Sequence, residues 1–218
     1  MATAFASLSF EALAALLAPP RCAACDARVA LLAAFCPACA AGAERARIDD
    51  ARAIAAFVYG GPVARAIARF KYEDRPDLAR PLADLLWRAV EPHATALSGA
   101  VVVPVPLHRM RLAERGYNQA ALLAARLARR LGAPTLPLAL ARVRDTPRQA
   151  TLDREARRTN VERAFRVRAP AAVRGRRVLL VDDVCTTGAT FEACARVLSD
   201  ARSGDVSLAV VARAAANT

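Results

Sequence analysis

The chain alternates short apolar runs with amphipathic segments over most of its 218 residues. Runs of β-branched and other apolar residues are typical of buried strands, whereas apolar positions that recur every three to four residues are typical of helices. The predicted strands are 52–59, 100–105, 139–143, 176–184 and 205–213, and the predicted helices are 9–18, 62–72, 76–90, 116–132 and 187–200. Strands that alternate with helices predict an α/β fold with a doubly wound, largely parallel sheet.

The N-terminal part of the chain has a different pattern. Residues 21–42 contain four of the six cysteines, and residues 43–50 are polar and charged. The regular alternation of strands and helices begins only after this stretch. We therefore predict two domains, a small N-terminal module over residues 1–50 and an α/β domain over residues 51–218.

The spacing of these four cysteines predicts a metal site. Cys22-Ala-Ala-Cys25 and Cys36-Pro-Ala-Cys39 form two C-x-x-C pairs separated by ten residues. Two such pairs fit a tetrahedral Zn²⁺ ion, and four thiolates leave no open position for chemistry, so the predicted ion is structural. It would also stabilise a segment too small for a core of its own. Redox disulfides and an iron–sulfur cluster are the alternatives.

Composition excludes several classes of protein. Hydrophobic residues make up 56% and charged residues 24% of the chain, a balance that argues against intrinsic disorder. No apolar run is long enough to cross a bilayer. The N-terminus is a poor signal peptide because no basic residue precedes Arg21 and Glu11 interrupts the apolar stretch. We therefore expect a soluble, cytoplasmic protein without membrane insertion.

The net charge of +12 is concentrated in one part of the chain. Between Pro104 and Arg177 there are 18 arginines and five acidic residues, a net charge of +13. Such a segment should attract polyanions, whether pyrophosphate, nucleotide or nucleic acid. Arg126, Arg129 and Arg130 on the predicted helix 116–132 favour single-stranded nucleic acid. The alternative is an arginine-rich composition spread over solvated helix faces.

The most specific stretch is the strand end Val-Leu-Leu-Val-Asp-Asp-Val-Cys-Thr-Thr-Gly-Ala-Thr at residues 178–190. After Asp182 and Asp183, a turn that contains threonines and Gly188 leads into a helix. Such a turn offers backbone N–H groups, hydroxyls and a helix N-terminus to a phosphate, at the edge where open α/β sheets bind ligands. Because carboxylates repel phosphate, the two aspartates should face ribose hydroxyls or a phosphate-bound Mg²⁺. The alternative is a helix cap with solvated acids.

This stretch resembles the phosphoribosyl pyrophosphate motif of type I phosphoribosyltransferases. Three further blocks, VPVPLHRMRLAERGYNQA at 103–120, TPRQATLDREARRTNVERAF at 146–165 and the double C-x-x-C, are similar to the ComF family, which is named for competence for DNA uptake. The blocks occur in the family's order and cover nearly the whole chain. The resemblance implies a type I phosphoribosyltransferase sheet with an N-terminal zinc-binding module.

The resemblance also implies roles for residues. Asp182 and Asp183 would hold the ribose 2′- and 3′-hydroxyls as the catalytic pair, although the general base stays unassigned. The turn after them would hold the 5′-phosphate, a loop at Pro106 to Arg109 would bind pyrophosphate with Mg²⁺, and residues 146–165 would close over the site. The expected substrate-binding residues are Asp182, Asp183, Val184, Cys185, Thr186, Thr187, Gly188, Ala189, Thr190, Lys71, His108, Arg109, Arg115, Arg148 and Gln149.

Lys71 is the only lysine in the chain, against 31 arginines. A surviving lysine suggests that a compact ammonium group is needed, and the family resemblance favours a phosphate contact at this position. The alternative is that this lysine remains by chance and has no functional role. Cys185 and Cys194 have no matching spacing and are expected to be small core residues, and His108 can donate to phosphate.

Two functions follow from these observations. The first is a phosphoribosyltransferase that uses phosphoribosyl pyrophosphate on an unknown acceptor, releases pyrophosphate and is linked to DNA uptake in natural competence. The second is a non-enzymatic competence factor that binds single-stranded DNA through the sugar-phosphate pocket. The expected partner is phosphoribosyl pyrophosphate or a similar sugar phosphate, and single-stranded DNA and the DNA-uptake machinery are further candidates.

Overall fold

The computed structural model describes residues 19–47, 52–144 and 164–215. The helices are α1 (Pro37–Ala41), α2 (Gly61–Tyr72), α3 (Ala79–Val90), α4 (Arg109–Arg115), α5 (Gln119–Leu131), α6 (Pro170–Val173) and α7 (Ala189–Asp200), with 3₁₀ turns at Pro76–Leu78 and Glu91–His93. The strands are β1 (Ala53–Val58), β2 (Val101–Pro104), β3 (Leu140–Arg142), β4 (Phe165–Val167), β5 (Val178–Cys185) and β6 (Val206–Arg213). The predicted helix 9–18 and nearly all of the predicted closing loop 146–165 lie outside the described residues.

Four parallel strands form the main sheet in the order β1-β6-β5-β2. Successive side chains of a strand point to opposite faces, and β5 shows how both faces are buried. Leu179 and Val181 pack in the apolar cluster formed with α2, α3 and α5. Val178 and Leu180 pack in a second cluster on the side of α7 and the β3–β4 pair. Burial on both faces confirms the predicted doubly wound, largely parallel sheet.

The chain protects both edges of this sheet. On one side, residues 44–46 pair antiparallel with the end of β1 through backbone hydrogen bonds of 2.9 and 3.2 Å. On the other side, residues 134–136 pair with β2 through two backbone hydrogen bonds of 2.9 Å. These segments satisfy backbone groups that an open edge would expose. The first of them also attaches the N-terminal module to the sheet.

The largest departure from the predicted elements lies between β2 and α5. The predicted helix 116–132 begins at Gln119, and the unpredicted helix α4 precedes it. Gly116 ends α4 with a left-handed φ of 78°, and the Asn118 side chain caps α5 by accepting from the Ala120 N–H at 3.0 Å. Helix α4 buries none of its residues, so it has no apolar periodicity to reveal it. The short strand β4, which pairs antiparallel with β3, was also not predicted.

The N-terminal module packs directly on the α/β domain. Ala23 and Ala34 are buried in the same apolar cluster as Ile54. The Phe35 and Phe57 rings meet edge to face, with centroids 6.3 Å apart and an interplanar angle of 86°. The two parts therefore share apolar contacts. The predicted domain boundary between residues 50 and 51 stays a prediction. Within the described ranges, none of the helices is long and apolar enough to cross a membrane.

Candidate functional site

Asp182 and Asp183 lie near the carboxyl end of β5 and point to opposite faces of the sheet. The alternation along the strand places Asp183 on the face of Val181, toward α2 and α5. Asp182 lies on the face of Leu180, toward α7, where it lines a cavity. Asp183 is only 2% exposed, whereas Asp182 is half-buried. The two neighbouring carboxylates therefore have different surroundings.

Asp183 belongs to a buried polar network. Lys71, from the last turn of α2, forms an ion pair with Asp183 Oδ2, and Gln119 Nε2 donates to Asp183 Oδ1 at 3.3 Å. Arg115 in turn donates to Gln119 Oε1. Burial alone would raise the pKa of Asp183, but the charge of Lys71 and the hydrogen bonds from its neighbours hold that pKa below its ordinary value. The network keeps a deeply buried carboxylate ionised.

Gln119 is a site residue that the sequence interpretation missed. Its side chain is 4% exposed and lies on the buried stripe of α5 together with Leu123 and Leu127. The sequence did contain a signal for this residue: Gln119 is an amide at a position where the helical pattern predicts an apolar side chain. A buried polar group needs a hydrogen-bond partner, so such a position indicates a polar contact. Asp183 is that partner.

Asp182 has the opposite electrostatic character. The backbone N–H of Asp183 donates to Asp182 Oδ1 at 2.8 Å. Burial raises the pKa of Asp182 well above its ordinary value, and the negative charge of Asp183 raises it further, although Lys71 partly opposes both. Of the two carboxyls, Asp182 therefore holds a proton more readily. Such divergence between neighbouring acids is frequent at functional sites.

The predicted phosphate turn lines one small cavity at the end of β5. The cavity has a volume of about 40 Å³, which accommodates a small group. Gly188 has a left-handed φ of 82° just before α7, and Thr187 Oγ1 accepts from the Ala189 N–H at 3.4 Å. A helix N-terminus and hydroxyls around a small cavity suit an anion. The lining residues are Val105, Asp182, Val184, Cys185, Thr186, Thr187, Gly188, Ala189, Thr190, Phe191, Leu208 and Val210.

The other predicted substrate-binding residues take separate positions. His108 occupies the N-cap position of α4 without a side-chain capping hydrogen bond, is 9% exposed, and its Nδ1 has no hydrogen-bond partner among the described residues. Arg109 is exposed at the start of α4. Arg115 lies over the Tyr72 ring, 5.3 Å from its centroid. Arg148 and Gln149 lie outside the described residues. All these phosphate contacts, and that of Lys71, stay predictions.

The two cysteines outside the C-x-x-C pairs differ from each other. Cys194 is fully buried in α7, as expected of a core residue. Cys185 is half-buried and lines the cavity, so it is not simply a core residue. Burial raises the pKa of both thiols. Both side chains therefore favour the neutral thiol form.

The four N-terminal cysteines form a cluster. The sulfur atoms of Cys22, Cys25, Cys36 and Cys39 all lie within 4.8 Å of one another, and those of Cys25 and Cys36 are 3.7 Å apart. Tetrahedral zinc with Zn–S bonds of about 2.3 Å requires sulfur–sulfur distances of about 3.8 Å. A disulfide would require about 2.05 Å. The cluster therefore fits a closed tetrahedral ion, as the spacing predicts.

An ion-pair cluster joins this module to α2. Arg69 donates to the backbone oxygens of Cys22 at 3.1 Å and Ala23 at 3.3 Å, and to Asp26 Oδ1 at 2.7 Å. Arg75 donates to the same carboxylate oxygen at 3.0 Å. Hydrogen bonds from Arg69 and Arg75 lower the pKa of Asp26 to about 2. Asp26 is therefore ionised at neutral pH.

Comparison with known proteins identifies relatives of the chain. The Phosphoribosyl transferase domain family matches residues 118–218. Competence protein F of Haemophilus influenzae is 39% identical over 145 residues, which cover 64% of this chain and 63% of that protein. DNA utilization protein YhgH of Salmonella typhimurium is 31% identical over 190 residues, which cover 81% of this chain and 83% of that protein. The chain thus spans less than two thirds of the Haemophilus relative but most of the Salmonella relative.

A solved structure described as the allosteric regulatory enzyme of purine biosynthesis has 20% sequence identity to this chain and a TM-score of 0.45. The similarity covers 66% of this chain and 29% of that enzyme. The parallel sheet and the domain match identify the fold as that of the type I phosphoribosyltransferases. With the cysteine cluster and the relatives above, the chain belongs to the ComF family.

Proposed function

We propose that the protein binds phosphoribosyl pyrophosphate at the carboxyl end of β5 and transfers the phosphoribosyl group to an acceptor, with release of pyrophosphate. One observation carries the proposal. Asp182 lines a single cavity together with residues 184–190, which comprise the end of β5, the turn after it and the start of α7. The next residue of the strand, Asp183, lies on the other face, where Lys71 and Gln119 keep it ionised. This arrangement offers donors to a phosphate and acceptors to a sugar.

The transfer would break the bond between ribose C1′ and a pyrophosphate oxygen and form a bond between C1′ and the acceptor, whose proton leaves. Positive charge develops at C1′, and the leaving pyrophosphate takes the electron pair. Hydroxyls and the N-terminus of α7 would hold the 5′-phosphate, and Asp182 would accept hydrogen bonds from the ribose. Mg²⁺ carried on the pyrophosphate would neutralise part of the developing negative charge.

Calorimetric titration with phosphoribosyl pyrophosphate, with and without Mg²⁺, tests this proposal. The double variant Asp182→Asn/Asp183→Asn should bind more weakly than the parent. Each charge-assisted hydrogen bond that is removed should cost on the order of 1.5–3 kcal/mol. The matched control is Asp200→Asn, the same change at an exposed position of α7. Equal affinity in the parent and the double variant would overturn the assignment.

The names of the relatives suggest a biological setting. One is called a competence protein and others DNA utilization proteins, so we propose a role linked to the uptake and use of external DNA. Deleting the gene should lower the frequency of transformation by external DNA. Restoration by the parent but not by Asp182→Asn/Asp183→Asn would tie this role to the sugar-phosphate site. Full restoration by the double variant would separate the two.

A second candidate function is the non-enzymatic binding of single-stranded DNA. An arginine cluster where α3 packs against α5 favours it. Arg126 is half-buried, and burial, together with the positive charges of Arg129 and Arg80, lowers its pKa. Guanidinium groups held close together are stabilised by the phosphates of a nucleic-acid backbone. Arg130, on the same helix, forms an ion pair with Asp84.

The salt dependence of binding to a fluorescent single strand tests this second function. Arg126→Gln/Arg129→Gln should weaken binding and reduce the salt slope by roughly 0.7 for each phosphate that the variant no longer neutralises. Arg65→Gln is the control, because Arg65 is an exposed arginine on α2, outside the cluster. If the parent binds no single strand at low salt, or the double variant binds as the parent does, the DNA-binding function of this cluster is wrong.

A further inference from the structure

Two buried cations in the last turn of α2 point in opposite directions. Arg69 reaches the cysteine module, whereas Lys71 reaches Asp183 at the end of β5. Their side chains are only 13% and 12% exposed. Residues two positions apart on a helix lie about 200° apart around its axis, which follows from 3.6 residues per turn. One helical turn therefore contacts the cysteine cluster on one side and the sheet on the other.

The contacts of Arg69 depend on the shape of the first C-x-x-C turn. Its Nη1 donates to two consecutive carbonyls, those of Cys22 at 3.1 Å and Ala23 at 3.3 Å, and its Nη2 donates to Asp26 Oδ1 at 2.7 Å. Asp26 has a left-handed φ of 65°, a conformation that needs support from its surroundings. The acceptors for Arg69 converge only when this turn is folded, and a metal on Cys22 and Cys25 would hold it folded.

On the other side of this helical turn, buried contacts restrain the end of α2. Phe70, between the two cations, is fully buried, and its carbonyl accepts a hydrogen bond from the Tyr117 hydroxyl. The Phe70 and Tyr117 rings lie 5.8 Å apart. Asp183, at 2% exposure, depends on Lys71 for a neutralising charge. A displaced helix end would therefore separate a buried ion pair, which is costly for the carboxylate left behind.

We propose that Arg69 is a positioning residue that couples the metal-held cysteine turn to the sugar-phosphate site. It fixes the end of α2 against the turn at residues 22–26 and so holds Lys71 on Asp183. The zinc module then acts as a support for the site, and loss of its metal weakens the Lys71–Asp183 ion pair on the opposite side of the helix. The effect on phosphoribosyl pyrophosphate affinity rests on the function proposed above, whereas the effect on Lys71 does not.

Arg75 provides a matched comparison. It donates to Asp26 Oδ1 at 3.0 Å and to Asp77 Oδ1 at 2.8 Å, so it shares the carboxylate that Arg69 contacts. It lies beyond the end of α2, and its guanidinium donates to these two carboxylates rather than to the carbonyls of the cysteine turn. Arg75→Gln should therefore weaken the ion-pair cluster without releasing the helix end.

The single lysine makes the test direct. Protein labelled with ¹³C at lysine Cε gives one lysine signal, that of Lys71. The signal should be recorded for the full-length parent, for Arg69→Gln, Arg69→Lys and Arg75→Gln, and for parent treated with a chelator until its metal content is negligible. Calorimetric affinity for phosphoribosyl pyrophosphate should be measured on the same samples.

Arg69→Gln and the metal-depleted parent should both move the Lys71 signal toward that of a solvated lysine. Both should also weaken phosphoribosyl pyrophosphate binding about tenfold, the size expected when a buried charge-assisted hydrogen bond is removed. Arg69→Lys should recover part of each effect, and Arg75→Gln should change neither. If both the metal-depleted parent and Arg69→Gln keep the parental Lys71 signal, the coupling is wrong.

The metal-depleted parent keeps the test valid if Arg69→Gln fails to fold, because it leaves the sequence unchanged. If metal removal shifts the Lys71 signal but the untreated parent binds no phosphoribosyl pyrophosphate, the coupling is supported and the proposed function is contradicted. If metal removal leaves the Lys71 signal unshifted but the untreated parent binds phosphoribosyl pyrophosphate well, the proposed function is supported and the coupling is contradicted. The two proposals therefore fail in distinguishable ways.

Discussion

The cysteine module and the main sheet are stabilised by different means. Within the described part of the module, residues 19–47, the buried cluster apart from the domain core contains only Cys22, Ala24 and Cys39. The sheet, in contrast, lies between two large apolar clusters that include Leu180 on one face and Leu179 on the other. The module supplements its small core with four converging thiols and with ion pairs to Arg69 of α2 and to Arg75 beyond that helix.

The two regions should also respond differently to change. A sheet held by apolar burial tolerates a costly polar site at the end of one strand, because the rest of its core compensates. A module held by a metal and ion pairs responds to changes in metal content and in single charged residues. One of the contacts between the two regions is the end of α2, where Arg69 binds the module and Lys71 binds the polar end of the sheet.

The largest expected effect is loss of the metal site. Cys36→Ser should lower zinc from about one ion per chain, the content that four thiolates imply, and should speed hydrogen exchange in residues 19–47 while β5 and β6 stay protected. Elemental analysis and hydrogen-exchange mass spectrometry measure both. Cys185→Ser, which changes a thiol outside the cluster, should leave the zinc content unchanged. If the metal-free module kept full protection from hydrogen exchange, the metal would not be what stabilises it.

The second effect concerns the apolar sheet. Leu180 is fully buried in β5, so Leu180→Ala should reduce the free energy of unfolding by about 2–5 kcal/mol through reduced burial and a new cavity. Urea denaturation measures it, and zinc content should not change in the folded protein. Leu138→Ala is the control, because Leu138 is 71% exposed and the same truncation should change the free energy by less than about 0.5 kcal/mol. If the two variants lost the same free energy of unfolding, burial in the sheet would not be the source of the stability.

A smaller effect of opposite sign is expected at the polar end of the sheet. Burial and the charge of Asp183 raise the pKa of Asp182, so an ionised Asp182 destabilises the fold at neutral pH. Asp182→Asn should therefore raise the melting temperature, and each kcal/mol gained corresponds to roughly 2–4 °C in a chain of this size. Differential scanning calorimetry measures it, with Asp200→Asn as the exposed control.

The sign of this effect with pH follows from the raised pKa. The folded parent binds the Asp182 proton more tightly than the unfolded chain does, so the parent loses stability as pH rises from the ordinary carboxyl range to the raised pKa of Asp182. The advantage of Asp182→Asn should therefore be present at neutral pH and vanish below the ordinary carboxyl range. An advantage that is independent of pH would mean that packing, not charge, is responsible.

The smallest effect is expected for an exposed ion pair of the module. Arg21 Nη1 lies 3.4 Å from Asp26 Oδ2, and the two side chains are 47% and 41% exposed. Solvent screens such a pair, so Arg21→Gln should change stability by less than about 0.5 kcal/mol. Hydrogen exchange in residues 19–47 measures it beside Arg69→Gln, whose arginine is only 13% exposed. Equal acceleration in both variants would show that burial does not separate the two pairs.

Local patterns alone predicted much of the fold and part of the site. The doubled C-x-x-C predicted the thiol cluster, and the run from Val178 to Thr190 predicted a strand, a turn and a helix that together form the cavity. These features are local, because ligand spacing and strand-to-helix turns depend on residues close together in the chain. Helix α4 escaped prediction because it has no buried face.

Tertiary structure decided how the site is assembled. The Lys71–Asp183 ion pair and the Gln119–Asp183 hydrogen bond join residues 112 and 64 positions apart, and no local pattern specifies such partners. The sequence determined that two acidic residues lie near the end of an apolar strand. The packing of α2 and α5 on one face and α7 on the other made them unlike, because strand alternation sends neighbouring side chains into different environments whose charge and burial set each pKa.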